Sequence, residues 1–114
     1  MVLVADDDDL IRLALSRLLT ARGHTVHTAP DAPGALALLG LHTFDAVLVD
    51  RRMPGDGQTV LKALRSRPDF PGRAILMTGA IGAEATEELG PGVRLVTKPF
   101  DFSSMVEMVE GSAG

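Results

Sequence analysis

Residues 1–15 read MVLVADDDDLIRLAL, and their order sets a pattern for the rest of the chain. The apolar run Val2–Ala5 is typical of a strand that is buried on both faces. From Leu10 onward, apolar residues recur at steps of three and four, which predicts one face of a helix. That helix should end near Arg22 and Gly23, a cation followed by a residue that readily takes the left-handed conformation of a helix C-terminus. The stretch is therefore a strand followed by a helix, with four adjacent carboxylates between them.

The same strand–helix pattern recurs along the chain. Short apolar runs alternate with amphipathic stretches, and no linker or low-complexity segment interrupts them. This alternation predicts an α/β fold in which a five-stranded parallel sheet is covered on both faces, within a single domain at residues 1–114. The predicted strands after the first are His24–Ala29, Ala46–Asp50, Arg73–Thr78 and Val93–Thr97, and the predicted helices after the first are Pro30–Leu39, Gln58–Ser66, Ala83–Leu89 and Phe102–Glu110.

The composition excludes several classes of protein. The formal net charge is -4, so the chain lacks the basic excess with which a nucleic-acid-binding protein neutralises phosphates. It contains no cysteine, which rules out disulfides, cysteine-ligated zinc and thiol catalysis. No signal peptide begins the chain, and no apolar run approaches the roughly 18 residues of a membrane span. We therefore expect a cytoplasmic protein without direct contact with nucleic acid or membrane.

Five polar residues are predicted to meet at one edge of the sheet, where the carboxyl ends of parallel strands form the ligand-binding side. Three of them are carboxylates, which raise one another's proton affinity unless a cation is present. Such oxygen ligands suit Mg²⁺. Mg²⁺ and one lysine together balance the formal charge of three aspartates, so we expect Mg²⁺ as a cofactor. The five residues are Asp6 and Asp7 after the first strand, Asp50 at the end of the third, Thr78 at the end of the fourth and Lys98 after the fifth.

Asp50 is the central carboxylate and the predicted nucleophile. A carboxylate in such a site can attack phosphorus and form an acyl phosphate. Phosphorylation adds about -1.5 to -2 charges at neutral pH, and Thr78 and Lys98 are then placed to pair with the new oxygen atoms. At the other end of the acidic run, Asp8 and Asp9 are expected to cap the first helix, whose N-terminal dipole favours carboxylates.

Taken in order, these motifs resemble the receiver domain of the bacterial two-component response regulators. The resemblance covers the whole chain and is carried by the pair Asp6–Asp7, by VLVDRRMPGDG around Asp50, by ILMTGA with Thr78 and by TKPF with Lys98. It implies a flavodoxin-like (βα)5 three-layer sandwich with the strand order 2-1-3-4-5. It also implies a signalling protein, which takes a phosphoryl group from a histidine kinase or a phosphotransfer protein and then changes conformation.

The resemblance also assigns roles to the site residues. It makes Asp50 the phosphoacceptor and implies that Mg²⁺ is bound directly by Asp7 and Asp50, through water by Asp6, and by the backbone carbonyl of Arg52. The side chain of Arg52 stands beside the site, and we hypothesise that it shields the acyl phosphate from water. The residues that bind the phosphoryl group or take part in the switch are then Thr78, Lys98 and Leu95.

Two features depart from the family pattern. The family often has, three residues before the lysine, an aromatic side chain that turns inward on phosphorylation, and this chain has Leu95 there. A leucine has no polar tip, so we expect a switch that relies on Thr78, the loop after it and backbone shifts. The motif MPGDG is one residue shorter than the common MPxMDG, which predicts a tighter loop after the third strand. The family's cis bond is expected here at Lys98–Pro99.

Two other functions are compatible with parts of the sequence. A phosphatase of the haloacid-dehalogenase type also uses strand-end aspartates, Mg²⁺ and a lysine, but it places an acid/base aspartate two residues after the nucleophile, where this chain has Arg52. A pseudo-receiver would keep the fold as an interaction module without phosphorylation, and Leu95 is the feature that favours it. The leading interpretation is a protein that catalyses only its own phosphorylation and dephosphorylation.

The assembly to which the chain belongs is left open by its sequence. No output domain follows within these 114 residues, so a stand-alone receiver and a part of a larger response regulator or hybrid histidine kinase are both compatible with it. The sequence is also compatible with a weak homodimer, and it does not identify the downstream partner.

Overall fold

The computed structural model describes residues 1–67, 73–79 and 93–111. The helix predicted at Ala83–Leu89 lies outside these residues. The strands are β1 (Val2–Ala5), β2 (Val26–Ala29), β3 (Ala46–Asp50), β4 (Arg73–Thr78) and β5 (Val93–Thr97). The helices of the described ranges are α1 (Asp9–Ala21), α2 (Ala32–Leu41), α3 (Gly57–Arg65) and α4 (Phe102–Glu110).

The five strands form one parallel sheet in the order β2-β1-β3-β4-β5. This is the flavodoxin-like order, so the predicted fold class is confirmed. At the carboxyl ends of the strands, Asp50 of β3 lies opposite Met77 of β4, and Thr78 of β4 lies opposite Thr97 of β5. The strand order reverses between β1 and β3, and the crevice at the carboxyl ends of such strands is where ligands bind in sheets of this type.

Apolar side chains fill both faces of the sheet, because successive residues of a strand point to opposite faces. Leu3 and Val47 belong to the layer that packs against α2 and α3, whereas Val4 and Leu48 belong to the layer against α1 and α4. Strands β1 and β3 are buried along their whole length, as expected of parallel strands covered on both sides. The result is the predicted three-layer sandwich. None of the helices described is long and apolar enough to cross a membrane.

An aspartate caps the N-terminus of each helix in the described ranges. Asp8 accepts hydrogen bonds from the backbone N–H groups of Leu10 and Ile11 and so begins α1. Asp9 lies in the first turn, where its charge interacts favourably with the helix dipole. The prediction that Asp8 caps the first helix is therefore confirmed, whereas Asp9, predicted as a second cap, is the first residue of the helix. The other caps are Asp31, Asp56 and Asp101.

Some predicted boundaries are wrong by one or two residues. His24 lies outside β2, because its N–H donates to a carbonyl at the end of α1 and pairing with β1 starts only two residues later. Helix α2 begins at Ala32 rather than Pro30, because the side chain of Asp31 accepts a hydrogen bond from the N–H of Gly34 at 2.7 Å and acts as the cap. Helix α3 begins and ends one residue earlier than predicted. Its start is set by Asp56, which caps the helix directly before Gly57.

Candidate functional site

The buried polar residues gather at the carboxyl edge of the sheet. Among the described residues, the buried polar or charged ones are Asp6, Asp50 and Thr78, each 4% exposed or less. Asp6 follows β1, Asp50 ends β3 and Thr78 ends β4. Lys98 follows β5, and its backbone N–H donates to the carbonyl of Thr78 at 2.7 Å. The strand ends therefore bring these four residues to one place, as the parallel order predicts.

Three carboxylates form the centre of this edge. Oxygen atoms of Asp6, Asp7 and Asp50 lie within 4.8 Å of one another. Asp6 and Asp50 are buried while Asp7 is exposed, so the cluster opens to solvent on one side. All of its potential ligands are anionic oxygen atoms, the type that Mg²⁺ prefers. The residues present therefore fit a hard divalent cation.

Lys98 extends into the same cluster. Its Nζ lies 2.9 Å from Asp6 Oδ2 and 3.4 Å from Asp50 Oδ2. Asp6 Oδ2 is buried and has no well-aligned hydrogen bond within the described part of the chain, so the ammonium is the group that compensates its charge. One lysine cannot neutralise three carboxylates, and the excess negative charge is a second reason to expect a cation here.

Burial and neighbouring charges shift the pKa values in the cluster. Burial, and after it the charge of Asp6, raise the pKa of Asp50 from 3.8 to about 6, against the opposing effects of Lys98 and of the Arg52 N–H. For Lys98, burial by itself lowers the pKa, but the close contact with the charged Asp6 and the charge of Asp50 outweigh it and raise the pKa. Asp50 is therefore mostly ionised at neutral pH, and Lys98 keeps its positive charge.

Local hydrogen bonds hold Asp6 in place. Its Oδ1 accepts from the backbone N–H of Asp8 at 2.9 Å, which joins it to the cap of α1. Arg12 reaches back from α1, donating from Nη1 to the carbonyl of Asp6 at 2.6 Å while Nη2 pairs with Asp9. Arg12 was not identified from the sequence. Its only signal there is the three-residue spacing from Asp9, which places both on one helix face.

A glycine lets α3 begin directly against Asp50. A Cβ on Gly57 would lie 2.2 Å from the carbonyl oxygen of Asp50 and 2.8 Å from Val49 Cγ1, so a larger residue would displace the strand end. The N–H of Gly57 donates to the carbonyl of Arg51 at 3.2 Å, and the N–H of Arg52 donates to Asp50 Oδ1 at 3.3 Å. Gly57 was not identified from the sequence, where its only signal is its place at the end of MPGDG.

The remaining predicted residues lie near this edge in different surroundings. Arg52 is exposed, two residues beyond the end of β3. Leu95 is half-buried in β5, opposite Leu76, and packs against the apolar layer on the α2 and α3 side of the sheet. It therefore contributes packing rather than a polar group. The Lys98–Pro99 peptide bond is cis, as the resemblance implies.

Comparison with known protein sequences points to one family along almost the whole chain. The family model described as the response regulator receiver domain matches residues 2–110. The chain is 34% identical over 112 residues to the response regulator protein FleR of Pseudomonas aeruginosa, and 37% identical over 114 residues to the DNA-binding transcriptional regulator NtrC of Salmonella typhimurium. These alignments cover 95% and 96% of this chain but 23% and 24% of the two relatives. The chain thus spans about a quarter of the length of these curated relatives.

Solved structures show the same architecture. The chemotaxis protein CheY4 of Vibrio cholerae matches with a TM-score of 0.85 at 28% sequence identity. The match covers 96% of this chain and 95% of that chain. The likeness therefore includes the sheet and both helical layers.

Proposed function

The chain belongs to the response regulator receiver domain family, and on that premise we propose that it is a phosphoacceptor in a two-component signalling system. In this proposal Asp50 takes a phosphoryl group from the phosphohistidine of a histidine kinase or a phosphotransfer protein. The observation that carries it is a buried carboxylate with a raised pKa, placed between two further carboxylates and the ammonium of Lys98. Repulsion among the three carboxylates disfavours the folded state, and it is typical of sites that bind a cation and a charged group.

The proposed transfer is a displacement at phosphorus. A carboxylate oxygen of Asp50 forms the new O–P bond while the N–P bond of the phosphohistidine breaks. The imidazole leaves with the electron pair of that bond and takes up a proton. Asp50 has to be ionised to attack, and with a pKa of about 6 it is ionised at neutral pH.

Lys98 and Thr78 are the residues proposed to bind the transferred group. Lys98 Nζ lies 3.4 Å from Asp50 Oδ2 and carries a charge that can pair with a phosphoryl oxygen. Thr78 is buried at the end of the neighbouring strand and supplies a hydroxyl donor. In this proposal both residues would pair with the negative charge that the phosphoryl group adds at Asp50.

Mg²⁺ is the proposed cofactor. Asp7, Asp50 and the carbonyl of Arg52 would hold it directly, with Asp6 acting through water. When bound, it would offset the charge of the carboxylates and of the incoming phosphoryl group. The support for this ligand set is the 4.8 Å cluster of three carboxylates, whose combined negative charge Lys98 alone cannot neutralise.

The proposed activity is the chain's own phosphorylation and dephosphorylation, with no external substrate. We propose residues 1–114 as one receiver domain acting in the cytoplasm, which accords with the absence of cysteine. The curated relatives are about four times as long, and one is named a DNA-binding transcriptional regulator. Any contact with nucleic acid would therefore belong to a further domain of a longer protein, in line with the acidic charge of this one.

Intact-mass measurement tests the proposal. The parent chain is incubated with acetyl phosphate, with Mg²⁺ or with a chelator, beside Asp50→Asn and the control Asp45→Asn. Asp45 is exposed and pairs with the N-terminus at the opposite edge of the sheet, so its variant removes one carboxylate away from the site. We expect one added phosphoryl group in the parent and in Asp45→Asn, only with Mg²⁺, and none in Asp50→Asn.

Two results would contradict this proposal. An adduct that persists in Asp50→Asn would refute the assignment of the phosphoacceptor. If the parent gains no mass and also fails to bind beryllofluoride, the chain is a pseudo-receiver. Beryllofluoride binding without a mass adduct would instead indicate an acyl phosphate that hydrolyses too fast to trap.

A further inference from the structure

The loop between β3 and α3 contains a tight turn at Met53–Asp56. The N–H of Asp56 donates to the carbonyl of Met53 at 2.9 Å, and Gly55 has a φ of 87°. With Pro54 at the second position and a glycine of positive φ at the third, this is a type II β-turn. Since the side chain of Met53 is buried in the core, the turn is part of the packed structure.

This turn rests on the first residues of α2. The carbonyl of Pro54 accepts a hydrogen bond from the N–H of Ala32 at 2.9 Å, one of the N–H groups that a helix N-terminus cannot satisfy internally. A Cβ on Gly55 would lie 2.8 Å from the Cβ of Ala32 and 2.9 Å from the Cδ of Pro33. Carbon atoms in favourable contact are about 3.5–4.0 Å apart. Only glycine, therefore, lets the turn approach α2 this closely.

The same loop is anchored to the site at its two ends. Before the turn, the N–H of Arg52 donates to Asp50 Oδ1 at 3.3 Å. After the turn, Gly57 donates to the carbonyl of Arg51 at 3.2 Å and packs against the carbonyl of Asp50. The carbonyl of Arg52, a metal ligand in the proposed function, therefore lies on a short segment held by Asp50 on one side and by α2 on the other.

We propose that Gly55 is a positioning residue of the metal site, because the turn that it seats on Ala32 and Pro33 fixes where the carbonyl of Arg52 lies. The inference rests on the proposed metal-dependent function and assigns a role to a residue outside the ligand set. It also makes the N-terminus of α2 part of the support of the site. Small displacements suffice for an effect, since Mg²⁺ demands near-ideal octahedral geometry.

Amide NMR of the unmodified chain gives the first test. The chain is titrated with Mg²⁺ alone, and we expect the amide signals of Arg52 and Ala32 to shift with the same Kd, because the Ala32 N–H donates to the turn. The amide of Gly23, at the far end of α1, is the reference and should not shift. A shift of Arg52 without one of Ala32 overturns the inference and leaves the metal site intact. If no site amide responds, the proposed metal-dependent function fails, and the inference fails with it.

Gly55→Ala tests the same contact by displacement. The added methyl group has to push the turn from α2 by about 0.7 Å to reach favourable contact distance. We expect Mg²⁺ to bind about tenfold more weakly in isothermal titration calorimetry, the size of effect seen when the support of a metal ligand is changed.

Gly23→Ala is the matched control for this variant. Gly23 also has a positive φ, 92°, but a Cβ there meets no atom of the described residues within 4 Å. The two variants therefore carry the same type of backbone strain, and both should lower the melting temperature, while only Gly55→Ala should lose Mg²⁺ affinity. A Kd for Gly55→Ala within about twofold of both the parent and Gly23→Ala overturns the inference.

Discussion

Replacing Asp50 by asparagine is expected to stabilise the metal-free protein, although it removes the proposed phosphorylation site. The residue is 4% exposed, and burial followed by the charge of Asp6 raises the pKa of its carboxyl from 3.8 to about 6. A raised pKa means that the folded state disfavours the ionised carboxylate relative to the unfolded chain. Asparagine has nearly the same shape, carries no charge and keeps an oxygen that can accept the hydrogen bond from the N–H of Arg52.

The size and the pH dependence of this gain follow from the two pKa values. Between pH 3.8 and about 6 the folded state binds more protons than the unfolded chain, so the stability of the parent falls as the pH rises. Above that range the penalty is complete, and at about 1.36 kcal/mol per pH unit it is at most about 3 kcal/mol. Solvent reaches the site past the exposed Asp7 and screens the charges, so we expect about 1.5 kcal/mol. At about pH 4 and below, parent and variant should be nearly equal.

Urea unfolding monitored by circular dichroism measures the difference in the free energy of unfolding, since the chain has no Trp or Tyr whose fluorescence could report unfolding. Parent and Asp50→Asn are compared with a chelator present at about pH 4, 6 and 8. Glu107→Gln, which removes one negative charge from an exposed position on α4, is the control and should change little. Added Mg²⁺ should narrow the gap, because the parent has one more carboxylate ligand. Equal stability at the highest pH, or a gap that does not change with pH, would refute this reasoning.

Two further predictions concern residues at opposite ends of the molecule. Arg52→Ala should lose its acyl phosphate several-fold faster than the parent, because the guanidinium two residues past Asp50 would no longer exclude water. The rate is measured as the loss of the mass adduct after the phosphoryl donor is removed, and equal rates would remove the shielding role. Glu110→Gln should flatten the acid dependence of stability, because hydrogen bonds first from Arg22 and then from His24 lower the pKa of Glu110 from 4.5 to about 2. That contribution is present above pH 4.5 and is lost as the pH falls towards 2, so identical acid transitions of parent and variant by circular dichroism would contradict it.

The strands could be predicted where their burial leaves a clear pattern. Val2–Ala5 and Ala46–Asp50 are apolar runs buried on both faces, and the structure gives them the predicted bounds. Strand β2 was predicted too long, because two of its four residues are polar and only Ala29 is buried, so that no apolar run marks its start. The starts of α2 and α3 were wrong by two residues and one residue, since each start is set by the hydrogen bond of a capping aspartate and not by apolar spacing.

The grouping of polar residues at the carboxyl edge of the sheet could be predicted, but the contacts that hold them there could not. The position of Asp50 or Lys98 follows from the rule that the ends of parallel strands share an edge, which needs only the strand bounds. The contact of Gly55 with Ala32 joins segments that are distant in the sequence, and no periodicity encodes it. The contact between Arg12 and the carbonyl of Asp6 depends in the same way on how α1 packs over the sheet. Packing, rather than local pattern, decides these distances.

Lys98 contacts both the carboxylates of the site and the end of β4, the two parts that a conformational switch would have to connect. Its Nζ lies 2.9 Å from Asp6 and 3.4 Å from Asp50, while its backbone N–H donates to the carbonyl of Thr78 at 2.7 Å. A phosphoryl group on Asp50 would compete with Asp6 for the ammonium of Lys98. Phosphorylation would therefore move Lys98 and the adjoining end of β5, and this movement needs no aromatic side chain. Leu95, three residues earlier in the sequence, packs against the apolar layer and can follow only through the backbone. We therefore expect the switch to depend on Lys98 and Thr78, and the presence of leucine at position 95 not to abolish it.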